Sequence, residues 1–119
     1  MSAKKKSAQF LLIICHDDDF VPTDALIAEI GAWIRKMEKQ GIRRYGNPLR
    51  PAAEATTVRV RNGKRVLKNG PFENSREKIC AYELIECADL EQAVELTTKH
   101  PMAKIATIEV RPVWTDLAS

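Results

Sequence analysis

The heptapeptide QFLLIIC, residues 9–15, carries six apolar side chains in a row. A strand sends successive side chains to opposite faces of its sheet, so an unbroken apolar strand needs cover above and below. The run is far too short to cross a bilayer, which takes ~20 residues. It also lacks the small-residue cleavage site of a secretory signal. DDDFVP stops it abruptly. Whatever this chain folds into must therefore bury both faces of its first strand.

The remaining pattern says what covers one face. From Thr23 a helix is predicted, with Leu26, Ile30, Trp33, Ile34 and Met37 on one stripe at three- and four-residue steps. Thr23 caps its start, Asp24 suits the dipole there, and Gly41 suits the reversal after it. GIRRYGNPLRP reads as a short strand entering a turn. ATTVRV alternates, Asn62-Gly63 is a favoured two-residue turn, and KRVLK folds back as its partner. KICAYELIEC is a long extended segment. Asp89 with Gln92 then opens a second helix whose inner stripe is read as Leu90, Ala93, Val94 and Thr97, closed by Pro101. AKIATIEVRPV is the last strand.

Without its middle hairpin the order is strand, helix, strand, strand, helix, strand, the split pattern of a ferredoxin-like α+β fold, βαββαβ. Right-handed crossovers put both helices on one face. The other face of the first strand is then bare, and a second copy of the sheet is the economical cover. A homodimer packed sheet to sheet is expected.

The 119 residues make one domain. Residues 1–8 are read as a flexible basic leader, 9–113 as the folded domain, and 114–119 as a tail. There are 19 lysines and arginines against 16 acidic residues, and Lys4, Lys5 and Lys6 account for the whole excess. No aromatic is interleaved with those lysines and no recognition helix follows, so nucleic acid is not an expected partner, nor is a membrane. Cys15, Cys80 and Cys87 are odd in number and show no C-x-x-C spacing, which fits a reducing, cytoplasmic compartment. With no P-loop, G-x-G-x-x-G, G-x-S-x-G or paired C-x-x-C, no cofactor is expected.

Residues 56–113, from TTVRVRNGKRVLKNGPFENSREK through ECADLEQAVELTTKHP to TIEVRPV, closely resemble YCII-related proteins of the DGPF type. Those run through a hairpin, Asp-Gly-Pro-Phe, Glu-Thr-Lys-Glu, a glycine-rich strand, an acid-rich helix ending in His/Cys-Pro, and Val-Glu-Val-Arg-Pro-Val. FLLIICHDD is similar to their opening strand. The resemblance implies a dimeric α+β barrel. It implies less about activity, because the wider superfamily holds isomerases, lyases such as a dehydrochlorinase, monooxygenases and haem enzymes, and some DGPF-type members are linked with extracytoplasmic-function sigma factors. This chain departs from the pattern at Asn69 and Asn74 in place of carboxylates, at Ser75-Arg76-Glu77, at Cys80-Ala81 in place of Gly-Gly, and at His16 in place of Gly. Shorter YCII proteins have a proposed His-Asp pair with the histidine near the first helix, and DDDFVPTDALI holds none. Replacing two carboxylates by amides removes proton-exchange capacity near the turn.

Candidate site residues follow. Asn69, Phe72, Arg76 and Glu77 form the expected ligand-binding set: Phe72 alternatively plugs the core edge, and Arg76 either clamps a carboxylate or phosphate or pairs with a nearby Glu. His16 with Asp17, Asp18 and Asp19 has the groups for a base or a metal ligand, but adjacent residues alternate sides and cannot all converge, so no metal is expected. Glu83 shares a side with Ile79, Ala81, Ile85 and Cys87, and Glu109 with Ile105 and Thr107. If both rows face the dimer cleft, two carboxylates in an apolar cavity suit acid–base work. The alternative is pairing with Arg59, Arg61 or Arg111. His100 is read as a helix stop complementing the dipole, and Cys80 as a small buried apolar residue. The expected function is binding of a small organic ligand in the dimer cleft. The alternatives are a lyase or isomerase acting on a small organic acid or aromatic, and an interaction module linked to transcription.

Overall fold

The computed structural model describes residues 7–73 and 75–117. The predicted leader, apart from Ser7 and Ala8, therefore lies outside the described residues, as do Asn74 and the last two residues of the tail. Eight main elements follow in order: β1 (Ala8–His16), α1 (Asp24–Lys39), β2 (Arg43–Pro48), β3 (Thr56–Arg61), β4 (Lys64–Asn69), β5 (Lys78–Cys87), α2 (Leu90–Thr98) and β6 (Thr107–Pro112). Two short 3-10 turns, Ala52–Glu54 and Pro101–Lys104, link them. The main sheet runs β2-β5-β1-β6 with every pairing antiparallel, and β3-β4 is a separate ribbon. This is the ferredoxin-like α+β arrangement with an inserted hairpin. No helix among the described residues is long and apolar enough to cross a membrane.

Alternation along β1 sorts the molecule into two sides. Phe10, Leu12 and Ile14 are buried and sit opposite Ile85, Glu83 and Ala81 of β5. On the β6 side they meet Pro112, Val110 and Ile108. Trp33 and Met37 of α1 and Ala93 of α2 join Phe10, Leu12 and Ile85 in one core cluster, so both helices cover this face. Local chemistry sets the helix ends. Thr23 accepts from the Leu26 N–H at 3.1 Å. Asp89 accepts from the Gln92 N–H at 2.8 Å, while the Gln92 side chain accepts from the Ala88 N–H at 2.7 Å.

The inner stripe of α2 differs from its expected form. Ala93 and Thr97 are buried, but Leu90 and Val94 are about half exposed, at 50% and 48%. A nine-residue helix presents one row to its sheet, and here that row runs Ala93, Leu96, Thr97, His100. His100 is corrected with it. Rather than a charged complement to the helix end, it is 2% exposed, 4.6 Å ring to ring from Trp33, and its Nδ1 accepts from the Met102 N–H at 3.0 Å. Burial pushes its pKa down from 6.5 to about 4, so the ring stays neutral and caps the next turn.

One charged group sits under the helices. Glu83 is 4% exposed, opposite Leu12 on the core face, and pairs with Arg43 through Arg43 Nε and, at 3.3 Å, Nη2. Arg43 also donates to the Gly46 carbonyl at 2.8 Å and to Glu38 at 3.0 Å. These bonds raise the Arg43 pKa, the Glu83 contact most. Gly46 faces Glu83 across the β2–β5 pair, where an added Cβ would lie 2.5 Å from both Glu83 Oε1 and the Tyr82 carbonyl. Gly46 makes the space in which the pair sits. Glu109, by contrast, lies opposite Ile13 on the other face. The expected convergence of Glu83 with Glu109 is therefore overturned, and the partner of Glu83 is Arg43 rather than Arg59, Arg61 or Arg111. Ala81, Glu83, Ile85 and Cys87 share a side as read, while the shift between Ile14 and Cys15 moves Ile79 to the other face and Ile105 lies before β6 begins. The cross-strand register, which no single strand reveals, puts the two rows on opposite faces.

Two predictions follow from these buried groups. The folded His100 pKa lies below its unfolded value, so its stability contribution is complete above pH 6.5 and is lost as pH falls towards 4. That loss amounts to about 3 kcal/mol. His100→Asn, which keeps a capping acceptor, should flatten this part of the acid limb in urea titrations between pH 4 and 7. Glu83→Gln should cost about 3 kcal/mol by leaving Arg43 without its main partner. Gly46→Ala should cost about 1–3 kcal/mol by overpacking the same spot, and in the double variant the two losses should not add.

Candidate functional site: the open face of the sheet

The odd-numbered side of β1 points away from both helices. Leu11, Ile13 and Cys15 lie there, flanked by Leu84, Tyr82 and Ile79 of β5. Tyr45 and Asn47 of β2 extend the face beyond β5. Thr107, Glu109 and Arg111 of β6 bound its other edge, and Gln9 and Glu86 close one end. Leu11, Ile13, Tyr82 and Leu84 are only half-buried although they occupy the two central strands, and Tyr45 and Ile79 are 57% and 46% exposed. The Tyr45 and Tyr82 rings lie 5.9 Å apart. No helix of the described residues crosses this side.

A bulge in β5 shapes one end of the face. Ile14 pairs with Ala81 but Cys15 pairs with Ile79, so Cys80 is looped out of register. Cys80 packs instead against the Ile14, Leu26 and Met102 cluster, half-buried. Burial, with Cys15 nearby, pushes its thiol pKa up to about 11, which makes it a poor nucleophile. Cys15 stays on the open face, its thiol raised by burial and then by Glu77 and Glu109. Glu77 accepts from the Thr107 hydroxyl at 2.7 Å, and Glu109 takes Arg111 at 2.8 Å. Glu77, bonded to Thr107 opposite Cys15, and Glu109, opposite Ile13, therefore stand on the same stretch of the open face. Sequence reading named both, and Arg111 as a partner of Glu109 is found as read, whereas the cleft shared by Glu109 and Glu83 is not.

The polar loop after β1 has a different role. His16 Nδ1 donates to the Asp17 carbonyl at 2.7 Å, and its ring stacks on Phe20 at 4.5 Å. Arg76 reaches Asp17 at 3.6 Å and Asp19 at 3.3 Å, and Lys78 reaches Asp18 at 3.6 Å. The HDDD and SREK stretches are thus strapped together by opposite charges, mostly in solvent, each pair worth about 0–1 kcal/mol. Among the described residues no group of three His, Cys, Asp or Glu is placed to hold a metal ion.

The expected ligand-binding set is divided among three places. Glu77 lies at the open face and Arg76 in the charged loop. Asn69 ends β4 opposite Thr56, at the base of the hairpin. Phe72 is 65% exposed beside a shallow hollow lined by Thr56, Thr57, Val58 and Arg59, so it does not plug the core edge. The reason is local. Gly70, at φ +102°, closes the hairpin base by donating to the Ala55 carbonyl at 2.7 Å and accepting from Thr57 Oγ1 at 2.8 Å. Pro71 follows that turn, and Phe72 is left on the hairpin side of the fold.

Comparison with known proteins agrees with this architecture. A sequence profile of the YCII-related domain matches residues 8–115. An uncharacterised protein of Rhizobium meliloti (strain 1021) is 26% identical over 110 residues, covering 85% of this chain and 89% of the relative. With the match spanning β1 to the end of β6, the chain belongs to the YCII-related domain family.

Proposed function

We propose that two copies of the chain pack open face to open face and enclose a cleft that binds a small organic ligand. The observation that carries this reading is the uncovered apolar centre formed by Leu11, Ile13, Tyr82 and Leu84, on the central pair of strands. Apolar surface removed from water contributes about 25 cal/mol per Å², and monomers rarely leave a contiguous apolar sheet face open. A two-fold axis through this face pairs each apolar centre with its own copy. The three cysteines, all free, suit a reducing compartment, and the cytoplasm is the proposed location.

The cleft walls favour a ligand with an apolar body. Its polar end is lined by Cys15, Glu77, Thr107 and Glu109. Carboxylates there suit a neutral or cationic molecule with hydrogen-bond donors better than an organic acid. A second reading, a small lyase or isomerase, has one observation in its favour: Glu77, bonded to Thr107 opposite Cys15, and Glu109, opposite Ile13, put two carboxylates on one stretch of an apolar face. Proton transfer would fall to those two groups, not to Glu83.

Sedimentation at micromolar concentration should show a dimer, and Ile13→Glu should convert it to a monomer with an unchanged helix signal in circular dichroism. Native mass spectrometry of protein purified from cells should show a small-molecule adduct on the dimer that Ile13→Glu loses. A wild-type chain that sediments as a monomer would remove the cleft.

A further inference from the structure

The β3–β4 hairpin is a ribbon of its own, closed at its base by the bonds of Gly70 to Ala55 and Thr57. Asn62 and Gly63 form its tip with φ of 52° and 74°, the left-handed pair that a tight two-residue turn requires. Its cross-strand register sorts the side chains between two faces. Val58 lies opposite Leu67 and Val60 opposite Arg65, which gives one face, shared with Thr56 and Asn69, three apolar side chains at its centre. Arg61 lies opposite Lys64, Arg59 opposite Val66 and Thr57 opposite Lys68, which makes the other face basic. Every residue of β4 is exposed; Val58 and Val60 are each 60% exposed and Leu67 54%. A lone two-stranded ribbon is at best marginally stable in water, so a ribbon with a bare apolar face calls for a surface to lie on.

Charge identifies that surface. Arg59, Arg61, Lys64, Arg65 and Lys68 lie between Thr56 and Asn69 with no acidic residue among them. Outside the arm and the leading lysines, eleven basic residues face all sixteen acidic ones. The arm thus carries five positive charges and the body an excess of five negative charges. Carboxylates Glu77, Glu86 and Glu109 stand around the apolar centre of the open face, Glu86 beside Arg44 and Glu109 beside Arg111. We propose that each arm clasps a second copy of this chain, its apolar face against the partner and its basic face meeting the acidic rim of the partner's sheet. The inference rests on the sheet-to-sheet pairing above and adds a second, electrostatic contact to it. Opposite charge of this kind chiefly steers encounter and fixes register, and it weakens with salt.

The experiment compares dimer dissociation constants for the wild-type chain, Ile13→Glu in the open face, and the charge reversal Arg61→Glu/Lys68→Glu in the arm. Limited trypsin digestion of each follows the arm's five cleavage sites. A clasping arm gives a tenfold or larger rise in the dissociation constant for the charge reversal, a comparable rise for the wild type between 50 and 500 mM salt, and an arm cut slowly in the dimer but quickly in Ile13→Glu. Val58→Thr/Leu67→Thr, which keeps β-forming side chains, should weaken pairing in the same way. Dissociation constants for the arm variants within twofold of wild type, with the arm cut equally fast in dimer and monomer, would overturn the clasp while leaving the sheet pairing intact. The clasp is also overturned if the arm variants lose affinity only for a 20-base-pair DNA duplex while dimerisation is unchanged. An unchanged constant for Ile13→Glu would instead sink the sheet pairing on which the clasp rests.

Discussion

A strand with grease on both sides, placed second in a four-stranded sheet, leaves the chain little freedom. Phe10, Leu12 and Ile14 are satisfied within the subunit by Trp33, Met37, Leu26 and Met102. Leu11 and Ile13 stay half-buried among their strand neighbours, on the side that no helix of the described residues covers. Polar substitutions at those two positions would have let the sheet face water on one side, as many antiparallel sheets do. Keeping them apolar leaves the open face as a large surface whose energy the subunit itself does not resolve, and the functional reading starts there.

The buried Arg43–Glu83 pair shows a different economy. A charge under the helices is costly unless it is both paired and hydrogen-bonded. Arg43 meets that requirement through Glu83, Glu38 and the Gly46 carbonyl, and Gly46 contributes by having no side chain. Three residues of β2 and β5 and one at the end of α1 are therefore tied together by geometry, which locks the edge strand in register with β5. Such a network works as architecture. It also removes Glu83 from the chemistry that its position in an apolar row suggested.

Much of this was legible in the residues. QFLLIIC, the stripe from Leu26 to Met37, the Thr23 and Asp89 caps and the Asn62-Gly63 turn each signal through local spacing, and each is found where that spacing put it. What local spacing does not carry is the relation between strands. Nothing in ICAYELIEC says which of its rows will meet Leu12, and a bulge at Cys80 shifts the pairing besides. Glu83 and Glu109 consequently fell on opposite sides, and Glu77, two residues from the nearest apolar row, joined Glu109 instead. Arg43 as the partner of Glu83 left one trace, an arginine at the start of an edge strand near a glycine, too weak to read alone. The opposite charges of HDDD and SREK were visible, but only a β1–β5 pairing makes them neighbours.

The edges of the sheet carry a consequence for growth. β2 lies at one margin with two arginines, a bulge after Arg43 and Pro48 at its close, and β6 lies at the other and ends in Pro112. Charged, irregular and proline-ended borders refuse additional strands. New neighbours are thereby turned away sideways, and the sheet does not lengthen strand by strand into a ribbon of many.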